Sequence, residues 1–268
     1  MVSTVIYQRA RVYNDDWEKT MKIIKDNFLV VSDYNWLPDD IEESWIHKYT
    51  DNYLIYDKYH RGAWRESDKI IKQKNVGQNH YDMFDFIATH YDNLPDVTIF
   101  CRACLFFPRG KKTRPTPERC ESTGNYNEEA FTKNCNNTSF TELHDFGASA
   151  HARYAHMPMP SSKMADDGGF LEINNSWYMN HGKYKYFNNL NSFLSDVYKS
   201  PVIEPYIRFS PGGNYIIPKE NILKYSKNFY ERIREYMSED VITAEIWMIE
   251  RATYTIFTCD WEVNEKYK

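Results

Sequence analysis

The sequence predicts an α/β protein: a mostly parallel sheet flanked by helices, with a long loop-rich insertion in its middle. Two observations carry that expectation. Short apolar runs bounded by polar turn residues recur at 27–33, 52–57 and 97–100, and each reads as a buried strand. Stretches with helical apolar spacing alternate with them, so the order is strand, helix, strand, turn, helix, strand, which describes parallel β-α units. Sheets of that kind carry ligands beyond the carboxyl ends of their strands.

Taken in order, residues 17–26 read as a helix with Trp17, Met21 and Ile24 on one face. The strand at 27–33 follows. Asp39 or Asp40 then caps a short helix containing Ile41, Trp45 and Ile46. A second strand occupies 52–57. Residues 58–74 are charge-rich and predict no element. The turn Asn75-Val-Gly-Gln-Asn79 feeds a helix from about His80 to Tyr91, whose apolar stripe is Tyr81, Phe84 and Ile87 with Ala88. Pro95 ends that segment, and a strand begins at Val97 and runs toward Phe107. Residues 108–164 are rich in Gly, Pro, Asn, Ser and charge, and read as active-site loops or an insertion. Two short strands surround Gly212-Gly213 within 206–220. After Pro218 comes a helix carrying Ile222, Phe229, Ile233 and Met237, and a last helix spans about 240–257.

With 268 residues, 42% apolar and 26% charged, the chain has the balance of one large globular domain. A net charge of −5 and a densest basic stretch of only six residues, 109–114, exclude a duplex nucleic-acid partner. No apolar run is long enough for a membrane span, and residues 1–10 lack a signal peptide's apolar core, so a cytoplasmic protein is expected. The 22 Tyr and 7 Trp suit stacking on sugar or base rings, although AT-rich codon usage gives the same surplus. An odd count of five cysteines points to reduced thiols. Cys101, Cys104, Cys120 and Cys135 could form a four-thiolate zinc site. Against it, Cys120 and Cys135 are not a Cys-x-x-Cys pair, and strand positions three apart face opposite sides. His144, His151 and His156 lack a His-Glu-x-x-His frame. No Gly-x-Ser-x-Gly elbow or phosphate-loop motif occurs, which excludes those hydrolase and nucleotidase classes.

The runs Asn75-Val-Gly-Gln and Tyr91-Asp-Asn-Leu-Pro-Asp-Val-Thr-Ile-Phe100 recur in combination with Pro211-Gly-Gly-Asn-Tyr-Ile-Ile-Pro-Lys219, Ile249-Glu-Arg251 and Thr255-Ile-Phe257. This set resembles a protein family of fungi, bacteria and large DNA viruses, whose layout is similar to the nucleotide-sugar glycosyltransferases of the GT-A (Rossmann-like) type. The resemblance implies one domain over 1–268, with a nucleotide-binding half at 28–107, the insertion at 108–164 and an acceptor-side half at 165–268. It implies sugar transfer from a nucleotide diphosphate, expected to be a UDP-sugar, to a glycan hydroxyl. The alternative is a carbohydrate-binding protein on the same fold without catalysis. If the gene is viral, the host cytoplasm is the expected place.

Metal-dependent enzymes of that type place Asp-x-Asp after the strand corresponding to 97–100, holding Mn2+ or Mg2+ against the diphosphate. This chain has Cys101-Arg-Ala-Cys-Leu-Phe-Phe-Pro108 there, with no acid. A metal held elsewhere, no metal, or reduced activity all follow as possibilities; no organic cofactor is expected. Arg102 either contacts phosphate in the cation's place or makes an ordinary salt bridge. The resemblance marks Glu250 as the base of an inverting transfer, with Glu245 in reserve, or else as one partner of a helix ion pair. Arg251 would bind phosphate or orient that carboxylate. Asp33 and Asp57 would meet the donor's base or ribose, or simply cap turns. Asn75 belongs to the donor side, and Gly212 and Gly213 border the pocket or supply a positive-φ turn.

Overall fold

A computed structural model describes residues 22–106, 126–144, 162–176 and 182–268. Its main sheet has six strands: β1 (Phe28–Asp33), β2 (Tyr53–Asp57), β3 (Ile70–Lys72), β4 (Val97–Arg102), β5 (Thr141–Glu142) and β9 (Tyr215–Pro218). Their order is β3-β2-β1-β4-β9-β5. The first four are parallel, whereas β9 runs antiparallel to β4 and to β5. A three-stranded antiparallel sheet holds β6 (Ser162–Met164), β7 (Phe170–Ile173) and β8 (Tyr206–Arg208). The helices are α1 (Trp45–Tyr49), α2 (Gln78–His90), α3 (Glu128–Asn134), α4 (Leu190–Val197), α5 (Lys219–Ile222), α6 (Lys227–Glu235) and α7 (Ala244–Thr258). The expected class, a mostly parallel sheet flanked by helices, is the observed one.

Strand periodicity decides what each face carries. Val30, Leu54, Tyr56 and Phe100 point into one apolar cluster with α2, α4, α6 and α7. Leu29, Val31, Ile55, Ile99 and Cys101 point into the other, with Tyr49 of α1 and Phe131 of α3. Both faces of the central strands are therefore dry, which is why these segments read as continuous apolar runs. The order 3-2-1-4 places the reversal of strand order between β1 and β4. Sheets of this order receive ligands at such a reversal, beyond the carboxyl ends of the strands.

Several local expectations are corrected. Residues 22–26 are not helical; Ile24 donates its amide to Tyr49 O and Lys25 donates to Asn136 Oδ1, so cross-chain bonds override the local apolar spacing. The rest of that expected helix lies outside the described residues. Asp40 caps a 3-10 turn at Ile41–Glu43, and α1 starts separately at Trp45. The strand from Val97 stops at Arg102, where a turn begins. The helix expected after Pro218 is two helices, because Ser226 caps α6 by accepting the Phe229 amide. α7 begins at Ala244 rather than near 240. Within 108–164, where loops were expected, α3 forms under an Asn127 cap that accepts from Glu129 and Ala130. The two short strands expected around Gly212-Gly213 are present, β8 in the small sheet and β9 in the large one.

Candidate functional site

A polar cluster is assembled at the carboxyl end of β4, on the α2 side of the sheet. Arg102 shares the face of Phe100 and reaches the start of α2, donating Nε–H to Asn79 Oδ1 (2.9 Å) and Nη2–H to Gln78 Oε1 (3.3 Å). Its backbone amide donates to Asn214 Oδ1 (3.0 Å). Among the described residues no carboxylate pairs with it, so the salt bridge considered from sequence is absent there. Arg102 is half-buried. A guanidinium fixed by two neutral amides keeps its full charge for an anion.

Asn79 also donates Nδ2–H to the carbonyls of Gly212 (2.8 Å) and Gly213 (3.2 Å). These glycines have φ of 90° and 65°, a backbone region that side chains disfavour. On the loop's other side the Gly212 amide donates to Glu250 Oε1 (2.8 Å). Glu250 Oε2 accepts from Arg251 Nη1 (3.1 Å), and Arg251 Nε donates to Glu172 Oε2 (2.7 Å) on β7. A hydrogen-bonded chain thus runs Arg102–Asn79–Gly212–Glu250–Arg251–Glu172. Burial alone would raise the Glu250 carboxyl, but Arg251, His80, Arg102 and the Gly212 amide outweigh it and hold the group below its usual value. Glu250 is accordingly ionised at neutral pH.

The remaining expected residues sit apart from this chain of contacts. Asp33 and Asp57 lie on the opposite face, toward α1, and all four of their oxygens accept from the protein itself. Asp33 accepts from the amides of Trp36 and Leu37 and from Arg61 Nη2 (2.7 Å). Asp57 accepts from the amides of Tyr59 and Arg61 and from Lys72 Nζ (2.6 Å). They act as turn caps and counter-ions. Burial raises the Asp33 carboxyl in spite of Arg61. Glu245 Oε1 accepts the amides of Lys185, Tyr186 and Phe187, which fixes that loop onto α7. Asn75 is half-buried in the turn before α2. Arg251, buried between two carboxylates, orients Glu250.

Sequence reasoning missed His80, Lys58, Asn79 and Glu172. Lys58 is buried and donates to the carbonyls of Val76 (2.6 Å) and Gln78 and to Asp82 Oδ1 (3.0 Å), and burial lowers its pKa. His80 is buried, with neither ring nitrogen hydrogen-bonded. Burial pushes its pKa down to about 4. For Asn79 and His80 the only signal was their place in the turn 75–79 and the helix after it; Lys58 and Glu172 carried none. Among the described residues no cluster of three or more His, Cys, Asp or Glu could hold a metal ion. Cys101 and Cys135 lie in the apolar cluster beside α3, and burial raises both thiols, that of Cys135 to about 11. Cys120, His151 and His156 lie outside the described residues.

The fold and the site together define an α/β protein with a doubly covered, mostly parallel sheet and a charged cluster at its switch point. No family model, curated protein or solved structure matches the chain. Among the described residues no helix is long and apolar enough to cross a membrane.

Proposed function

We propose that the chain is a glycosyltransferase of the GT-A type, moving a sugar from a nucleotide-diphosphate donor, a UDP-sugar, to a glycan hydroxyl. The observation that supports this reading is Arg102: a partly exposed arginine without a carboxylate partner among the described residues, standing where parallel sheets of this order receive ligands. The diphosphate would lie on its guanidinium and on the first-turn amides of α2, which have no partners within the helix. Arg102 would then offset the leaving group's charge that Mn2+ or Mg2+ offsets in metal-dependent enzymes.

Glu250 is the base of this reading. An inverting transfer forms the acceptor O–C1 bond as the C1–O bond to the diphosphate breaks, and the acceptor's proton passes to the carboxylate. Arg251 keeps Glu250 ionised for that step. Its participation in a backbone contact to Gly212 favours a second reading, a carbohydrate-binding protein in which Glu250 only anchors the Gly212-Gly213 loop. Glu250→Gln separates the two in a donor-consumption assay with a set of UDP-sugars and glycan acceptors. Loss of at least a hundredfold in turnover with donor binding retained is the expected result. A wild-type protein that binds glycan and consumes no donor supports the second reading.

A further inference from the structure

A buried imidazole with two unpartnered nitrogens demands a reason, because such groups are nearly always hydrogen-bonded in folded proteins. His80 occupies the third position of α2, a helix of 13 residues that starts at a left-handed Gly77 with no side-chain cap and no acidic residue in its first turn. Four charged groups act on the ring electrostatically: Glu250 and Arg251 of α7, Arg102 at the end of β4 and Lys58 after β2. What covers it is the Gly212-Gly213 loop. A methyl group at Gly213 would stand 2.3 Å from His80 Nε2 and 2.7 Å from Cε1, so only glycine lets the backbone lie this close. The loop is held down by the Asn79 amide and by Glu250, and both glycines occupy positive φ. Asn79 is in turn bonded to Arg102, the proposed anion contact. Anion capture by Arg102 therefore acts directly on the group that holds the loop.

We propose that the Gly212-Gly213 loop is a latch over His80, and that it lifts when a phosphate or diphosphate binds at Arg102, so that the imidazole becomes a hydrogen-bond donor to the anion. This rests on the transferase reading for the identity of the anion's carrier, but the site itself is specified by its charge alone. In the latched state the neutral imidazole satisfies neither its N–H nor its lone pair. Unlatched, it meets an oxyanion beside Arg102 and the free amides of α2, and proton binding to the ring becomes easier.

The test follows His80 in the full-length protein by nitrogen NMR with labelled histidine, during titration with inorganic pyrophosphate and separately with UDP. Thermal unfolding is recorded in parallel. The expected result is a change in the His80 ring nitrogens and in the Gly212 and Gly213 amides that saturates together with the rise in unfolding midpoint. His80→Leu should weaken pyrophosphate about tenfold, the loss of one hydrogen bond to a charged group. Gly213→Ala should force the latch open and move the His80 pKa up from about 4 without ligand. Binding that leaves the ring and both amides unchanged overturns the latch and leaves the transferase reading intact. Absence of any binding by pyrophosphate or UDP overturns both. Pyrophosphate binding that moves the ring and both amides, without UDP binding, keeps the latch and overturns the nucleotide-sugar donor.

Discussion

Asp33 and Arg61 illustrate how residue type can suggest a ligand contact while geometry assigns a structural one. The carboxylate is fully buried and pairs with a guanidinium that also stacks over Trp64, 4.6 Å from its centroid. Asp33→Ala would leave the buried Arg61 with only the exposed Asp39 carboxylate, 3.3 Å from Nη1, at a cost of about 3 kcal/mol. Urea denaturation measures it; a loss under about 1 kcal/mol would mean that the pair is not formed. His80 gives the complementary prediction in pH. Its pKa is about 4 in the fold against 6.5 ordinarily. Between those values the unfolded chain binds the proton and the native chain does not, so stability rises with pH through this window. The contribution is roughly 3 kcal/mol, complete above pH 6.5 and lost as pH falls toward 4. His80→Asn should flatten that part of the stability profile; an unchanged profile would show that His80 does not titrate in this way. The family resemblance, rather than composition or spacing, marked Arg102, Glu250 and the two glycines, and all four enter one network. Composition and spacing could not flag His80 or Glu172, since a lone histidine and a lone strand acid carry no spacing signal; their neighbours come from distant parts of the chain.

At the scale of elements, the start of α2 organises the site, and Gly77 is its most restrictive position. It has a φ of 57°, and a methyl group there would stand 2.5 Å from Tyr81 Cβ and 2.9 Å from Met237 O. Gly77→Ala is expected to destabilise the fold by roughly 2 kcal/mol or more, combining left-handed strain with a clash against backbone. A change under about 0.5 kcal/mol in urea unfolding would contradict that geometry. The parallel strands β1, β2 and β4 and the helix α2 were legible because a strand buried on both faces and a long amphipathic helix have strong local patterns. β3, β7 and α4 were not. They are short, with partly polar faces, and α4 depends on a capping box between Asn189 and Ser192 that begins with an asparagine rather than the usual serine or threonine. The division of the segment after Pro218 shows the same limit, for one serine cap interrupts a continuous apolar stripe.

Across the whole molecule, the network from Arg102 to Glu172 links the carboxyl end of the parallel sheet, the β8–β9 loop, α7 and the small sheet. The class of fold was readable from the order of elements, but this linkage was not. It depends on β8 and β9 parting into different sheets, which brings Glu250 and Gly212 together across 38 positions. A ligand on Arg102 would therefore be felt by both sheets, and its binding should stabilise the fold as a whole.

The most direct measurement is thermal unfolding of the wild-type protein and Arg102→Ala with UDP, GDP, CMP and ADP, each with manganese and with chelator. The account predicts a raised midpoint with UDP, present in chelator because Arg102 supplies the positive charge, and abolished in Arg102→Ala without loss of the folded state. No shift with any nucleotide, or an equal shift in the variant, would contradict it.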